Sequence, residues 1–96
     1  MTIKLYKQVG SFAENKDVAK RIRIEEIIPA LAAGKEVILD FSKIDGATQS
    51  FVHALISDVI RQFGSEILEK MKFKSCNETI EKIITIVYDY MQESER

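Results

Sequence analysis

The run Val37-Ile38-Leu39-Asp40-Phe41 constrains the fold more than any other part of the chain. Four of its five side chains are apolar, and a short run of this kind is typical of a strand that is covered on both faces. Farther along, apolar side chains recur at alternating steps of three and four from Phe51 to Phe63, with Gly64 just beyond. This spacing predicts an amphipathic helix. A buried strand followed by a covering helix is therefore the expected centre of the fold.

The segment before this strand predicts one strand and one helix. Residues 2–9 alternate between apolar and polar side chains as a strand does, and Gly10-Ser11 breaks the pattern. An apolar stripe predicts a helix over residues 15–28, although residues 21–25 also alternate like a strand. Pro29 should kink or end that helix near Ile28, and Gly34 should close the segment.

The segment after the central helix predicts an edge strand and a final helix. Residues 65–70 are compatible with one helical turn, and in residues 71–75 two lysines alternate with Met71, Phe73 and Ser75. Alternating lysines are typical of an edge strand that is protected from further pairing. Asn77 is a favourable N-cap, and an apolar stripe predicts a helix from there to Met91. Residues 92–96 are expected to fray.

The order strand, helix, strand, helix, strand, helix predicts an α/β fold. Its sheet should be small and mostly parallel, with right-handed crossovers, residues 37–41 in the middle and residues 71–75 at an edge. Ligands of such sheets bind at the carboxyl ends of the strands. The loop after the central strand, residues 42–47, and the helix start that follows it are therefore the first places to look for function.

Length and composition limit the possible classes of protein. The chain has 96 residues, which predicts one domain over residues 1–96, and its formal net charge of −1 gives no overall attraction to nucleic acid or to an anionic membrane. The one cysteine, Cys76, cannot form an internal disulfide, which favours a reducing compartment. Residues 1–10 contain no apolar signal segment, and the uncharged residues 27–34 fall far short of the ~20 that span a bilayer. We therefore expect a cytoplasmic protein.

The loop and helix start contain few of the residues and motifs that catalysis or metal binding requires. Ser50 and His53 are three residues apart and share a helix face, so a catalytic Ser–His pair is sterically possible. The Gly-x-Ser-x-Gly motif that holds such a serine nucleophile is absent. We therefore expect His53 to be a partly exposed helix residue without a catalytic role. Asp40 and Asp45 could hold Mg²⁺, although acids at such positions are more often a cap and a turn residue. One His and one Cys are too few for a zinc site, and no phosphate-binding loop motif occurs. No catalytic residue, cofactor or metal is expected.

Two further features have ordinary structural explanations. Cys76 precedes a predicted helix N-terminus, a setting that can lower the pKa of a thiol, but a lone cysteine is usually structural. Basic residues cluster in residues 16–23 and 70–74 without interleaved exposed aromatics, which indicates solvated faces rather than a nucleic-acid surface.

The segments around the central strand resemble a known family. Residues 37–44 followed by Ala47-Thr48-Gln49-Ser50-Phe51 are similar to the core motif of STAS domains, the anti-sigma factor antagonist fold. The similarity is greatest to short STAS-like domains of unknown function, which share the apolar-Leu-Asp-Phe strand, the Thr-x-Ser-Phe helix start and a following Phe-Gly, here Phe63-Gly64. The match covers residues 12–87 and implies the same order of elements.

The resemblance also implies a function and a site. Ser50 falls where the antagonists carry the serine that a partner kinase phosphorylates. The aspartate of their motif is replaced here by Thr48, their second serine by Gln49 and their glycine by Phe51. The implied function is a non-enzymatic regulatory module that docks a partner protein, for which an ATPase of the anti-sigma kinase type is one candidate. The predicted partner-binding or phospho-switch residues are Asp45, Gly46, Thr48, Gln49, Ser50 and His53. Two alternatives stay open: Thr48-x-Ser50 as a plain helix start, and a small ligand-binding domain or enzyme that uses the same loop.

Overall fold

The computed structural model describes residues 1–94 and confirms the predicted α/β class. The elements in chain order are β1 (Thr2–Lys4), α1 (Tyr6–Val9), β2 (Phe12–Ala13), α2 (Lys16–Ile22), a π-helical turn (Arg23–Ile27), α3 (Ile28–Ala32), β3 (Val37–Asp40), β4 (Gly46–Ala47), α4 (Gln49–Phe63), a 3₁₀ turn (Ser65–Glu69), β5 (Met71–Lys74) and α5 (Glu78–Ser94).

The three longer strands form a parallel sheet in the order β1-β3-β5, with β3 in the centre and β5 at an edge as predicted. Ile3, Leu39 and Phe73 stand in one row of this sheet, and Val37 stands beside Met71. Because both crossovers step in the same direction, the right-handed rule places the connecting helices on one face. This face is the core: Leu39 is fully buried among apolar side chains from the strands and from α2, α4 and α5.

The opposite face of the sheet carries polar side chains. Lys4 and Lys74 flank Asp40 in one row, and both lysines are exposed. In the next row Ile38 is only half-buried, so the expectation that the central strand is covered on both faces is wrong. The hydrocarbon stem of a lysine can cover a neighbouring apolar side chain while its ammonium group stays in water. Neighbouring lysines can therefore shield Ile38 from water without a layer of helices on this face of the sheet.

The first strand is shorter than the sequence pattern predicts. The backbone N–H of Leu5 donates to the carbonyl of Asp40 at 3.1 Å, and Asp40 is the last residue of β3. Because β3 ends there, residues after Leu5 find no further backbone partners in a neighbouring strand, and the chain turns into α1 instead of extending β1. The strand predicted over residues 2–9 is therefore wrong beyond Lys4. The pair β2 and β4, which forms a second parallel ladder, was not predicted, and part of it lies in the expected loop 42–47.

The first long helix passes Pro29 instead of ending near Ile28. Asn15 caps it through hydrogen bonds from the backbone N–H groups of Asp17 and Val18, and the helical chain continues through the π turn to Ala32. A proline lacks the N–H of a regular turn and its ring clashes with the preceding turn, and a π turn is a place where the hydrogen-bond ladder shifts. Here the π turn ends two residues before Pro29. Of the two outcomes predicted for Pro29, an end of the helix near Ile28 is wrong, whereas an irregularity of the helix next to the proline is present as the π turn. The strand alternative for residues 21–25 is excluded.

The second half of the chain follows the predictions closely. Helix α4 ends at Phe63 with Gly64 at a positive φ, the expected helical turn is the 3₁₀ segment, and Asn77 accepts a hydrogen bond from the Ile80 N–H as the N-cap of α5. Helix α5 extends to Ser94, three residues beyond the predicted end at Met91. The expected fraying of residues 92–96 stays a prediction. Residues 95–96 lie outside the described part.

Candidate functional site

The loop between β3 and α4 is fixed by backbone hydrogen bonds to the β2 segment. The N–H of Asp45 donates to the Ser11 carbonyl at 2.7 Å, and the N–H of Thr48 donates to the Ala13 carbonyl at 2.9 Å. Thr48 also accepts a hydrogen bond through its hydroxyl from the Phe51 N–H at 3.1 Å. Thr48 is therefore the N-cap of α4, as the helix-start alternative for Thr48-x-Ser50 implies, and α4 begins at a defined position.

Asn77 ties the same loop to the last helix. Its side-chain amide donates to the Asp45 carbonyl at 2.8 Å, while its oxygen caps α5. Gly46 packs against the ring of Phe12, where a Cβ would meet a ring carbon at 3.0 Å. Both contacts make the loop a rigid part of the scaffold, which holds the start of α4 against α5.

An open groove of about 500 Å³ lies between the first turns of α4 and the outer face of α5. We call it the Ser50 groove, and it is lined by Lys16, Gln49, Ser50, His53, Ala54, Ile86, Val87 and Tyr90. Ser50 is exposed. The rings of His53 and Tyr90 meet edge to face with centroids 6.0 Å apart.

The wall of the groove that α5 forms exposes two large apolar side chains. Ile86 is 49% exposed and Tyr90 is 57% exposed, and they are four residues apart on α5. Residues four apart lie on the same face of a helix, so together they form one apolar strip beside Ser50.

The structure brings together only part of the predicted site. Gln49, Ser50 and His53 line the groove, Thr48 caps the helix behind it, and Asp45 and Gly46 lie outside its lining. Sequence reasoning missed the other wall of the groove, formed by Lys16, Ile86 and Tyr90. A signal for the last two was present, because both are apolar and fall off the main stripe of the final helix.

Asp40 and Asp45 lie in different environments. One carboxylate oxygen of Asp40 accepts hydrogen bonds from the N–H of Ser42 at 2.8 Å and from the Ser42 hydroxyl. These bonds, helped by the charges of Lys74 and Lys4, hold the pKa of Asp40 below its ordinary value. Asp45 is exposed. Within residues 1–94 no cluster of three or more His, Cys, Asp or Glu side chains could hold a metal ion.

Cys76 is held in its protonated form. Burial raises the pKa of its thiol to about 11, with smaller contributions from the charges of Glu81 and Asp40. Because the thiolate is the nucleophilic form, the preceding lysine strand does not activate this cysteine.

Fold and site together define a class: a small α/β domain in which a rigid loop after the central parallel strand presents a capped helix start. The family model described as STAS-like domain of unknown function (DUF4325) matches residues 18–81, and the chain belongs to this family. Neither the curated proteins nor the solved structures gave a match. No helix of the described residues is long and apolar enough to cross a membrane.

Proposed function

We propose that this STAS-like domain is a non-enzymatic regulatory module that docks a partner protein in the Ser50 groove. The observation that carries the proposal is the apolar strip of Ile86 and Tyr90, which stands half-exposed directly beside the helix start that presents Ser50. Large exposed apolar side chains that cluster in a groove are typical of interaction sites, and aromatic residues are enriched among those that dominate binding energy.

The position of Ser50 suits a phosphorylation switch. Ser50 is exposed in the first turn of α4, two residues after the N-cap Thr48. A phosphate there brings about −1.5 to −2 charges, and negative charge near a helix N-terminus is favourable by about 0.3–1 kcal/mol. The domain itself should therefore tolerate the modification.

A partner that packs over the same turn should not tolerate it. Burying the added charge against an apolar or acidic surface costs several kcal/mol, and each ~1.4 kcal/mol is a tenfold change in affinity. Phosphorylation would thus release the partner without unfolding the domain. By resemblance to the anti-sigma antagonists, an ATPase of the anti-sigma kinase type is the first candidate for such a partner.

Affinity capture from the native host with quantitative mass spectrometry tests the proposal. Wild type, Ser50→Ala and the control Ile24→Ser should retain the same partner, whereas Ser50→Asp and Ile86→Ser should lose it. Ile24 is a matched control because it is 50% exposed, almost the same as Ile86, and lies outside the groove. All five proteins should melt within a few degrees of each other. Equal retention by Ile86→Ser and Ile24→Ser would refute docking in the groove, and retention by Ser50→Asp would refute the switch.

A second candidate function is binding of a small ligand in the same groove. Its volume of about 500 Å³ lies within the range of ligand pockets, and this observation alone favours it. A thermal-shift screen of nucleotides and small metabolites separates the two, because a ligand stabilises the fold by mass action. A shift that Ile86→Ser removes would favour the ligand over the partner.

A further inference from the structure

A second concave site lies on the polar face of the sheet, where β1 and β3 end. It has a volume of about 220 Å³ and is lined by Lys4, Tyr6, Lys7, Asp40, Ser42 and Lys43. We call it the Lys43 pocket. None of its lining residues belongs to the Ser50 groove. The pocket therefore needs a separate explanation.

The charges in the Lys43 pocket are not balanced. Three lysines face one carboxylate, and none of the three ammonium groups forms an ion pair with a carboxylate among residues 1–92. The carboxylate, Asp40, is already engaged through one oxygen by the N–H and hydroxyl of Ser42. Lysines that outnumber the nearby carboxylate repel one another, so an anion in the pocket would remove an electrostatic cost.

The backbone and the aromatic ring hold one of these lysines over the pocket. Lys43 has φ 70°, in the left-handed region, and its ammonium lies 5.6 Å from the centre of the Tyr6 ring. A left-handed conformation is unfavourable for a residue with a Cβ, and strained residues cluster at binding sites. The cation–π contact fixes the ammonium beside the pocket.

The pocket also lies where ligands of parallel sheets bind, beyond the carboxyl ends of adjacent strands. Lysine ammonium groups are compact point charges that bind phosphate oxygens. We propose that the Lys43 pocket binds the phosphoryl group of a small phosphorylated ligand. The concave shape and small volume fit such a group, whereas the chain's net charge of −1 gives a long polyanion no general attraction.

Titration of the ¹⁵N-labelled protein with phosphoryl compounds tests this proposal. The probes are inorganic phosphate, pyrophosphate and adenosine monophosphate, each at constant ionic strength, with sodium chloride as the blank. We expect saturable shifts of the Ser42 and Lys43 amides and little change at Ser50. Tighter binding of the nucleotide than of phosphate would indicate that the ligand is a nucleotide, and equal binding would indicate that the phosphoryl group alone is recognised.

Single lysine variants locate the site. Lys4→Gln and Lys43→Gln should each weaken pyrophosphate binding about fivefold, the factor that corresponds to an interaction of about 1 kcal/mol. The control Lys35→Gln removes the same charge from an exposed position outside the pocket, and it should leave binding unchanged.

Three results would overturn the proposal. The first is an equal loss in Lys35→Gln, which would mean diffuse screening. The second is no saturation by any probe. The third is much tighter binding of mixed-sequence single-stranded DNA that Lys72→Gln weakens, which would make the sheet face a nucleic-acid surface. None of these results bears on the Ser50 groove, so this proposal and the proposed function can fail separately.

Discussion

Replacement of Arg23 tests how the π turn is joined to α4. This arginine is only 8% exposed; one guanidinium nitrogen donates to the Ala54 carbonyl at 2.8 Å and another lies 3.2 Å from a carboxylate oxygen of Asp58. Its Nε is buried and has no hydrogen-bond partner. The buried hydrocarbon stem of Arg23 therefore stabilises the fold by packing, whereas the buried guanidinium lacks one of its hydrogen bonds.

Two variants separate these contributions. Arg23→Ala removes the packed stem, worth about 0.8 kcal/mol for each buried methylene, and a hydrogen bond from a charged group worth about 1.5–3 kcal/mol. Removing the unpaired Nε offsets part of this loss, so we expect a destabilisation of about 2–4 kcal/mol. Arg23→Met keeps most of the stem and removes the buried charge, an exchange that is often close to neutral. We expect it to lie within about 1 kcal/mol of wild type.

Urea denaturation followed by circular dichroism measures both variants. Each kcal/mol of difference between them corresponds to about 4–8 °C in Tm for a domain of this size. Asp58→Asn is the control for the ion pair, and it should cost less than about 1 kcal/mol because the Asp58 side chain is 46% exposed. If Arg23→Met were as unstable as Arg23→Ala, the polar contacts would dominate and the reasoning from the stem would be refuted.

Three further substitutions have defined outcomes. Leu39→Asp places an unpaired carboxylate at a fully buried position of β3 and should abolish the cooperative melt; a native circular dichroism spectrum would contradict this. Thr48→Ala removes the cap of α4 and should cost about 1 kcal/mol in urea denaturation, whereas an unchanged midpoint would mean that the cap is not needed. The folded-state pKa of Asp40 is lowered, so its contribution to stability is present above the unfolded pKa near 3.8 and is lost as the pH falls through the folded value. Asp40→Asn should therefore reduce the loss of unfolding free energy that wild type shows as the pH falls through the acid range. An unchanged loss in the variant would mean that Asp40 does not cause it.

Local patterns predicted most elements because each pattern reflected a local physical cause. The stripe of α4 ends at a glycine with positive φ, and the caps Thr48 and Asn77 act through hydrogen bonds within three residues. Such contacts can be read from spacing. The length of β1 could not be read in this way, because it depends on where a distant partner, β3, ends at Asp40.

Three of the eight residues that line the Ser50 groove were predictable for the same reason. Gln49, Ser50 and His53 follow directly from the helix start after the central strand, whereas Ile86 comes from an element more than thirty residues away. The pairing of β2 with β4 rests on two residues in each strand, too few for any periodic signal. The Lys43 pocket was likewise hidden, since its lining comes from two stretches of the chain, residues 4–7 and 40–43, that are more than thirty residues apart.

Site-specific photo-crosslinking in the native host tests docking in the Ser50 groove most directly. Benzoylphenylalanine is incorporated in place of Ile86, and in parallel in place of Ile24 as the matched exposed position. We expect one distinct protein to crosslink from position 86 and not from position 24, with a yield that falls at least tenfold when Ser50→Asp is added, since each ~1.4 kcal/mol is tenfold in affinity. Crosslinks of equal yield and identity from both positions, or no crosslink from position 86, would contradict the proposed docking site.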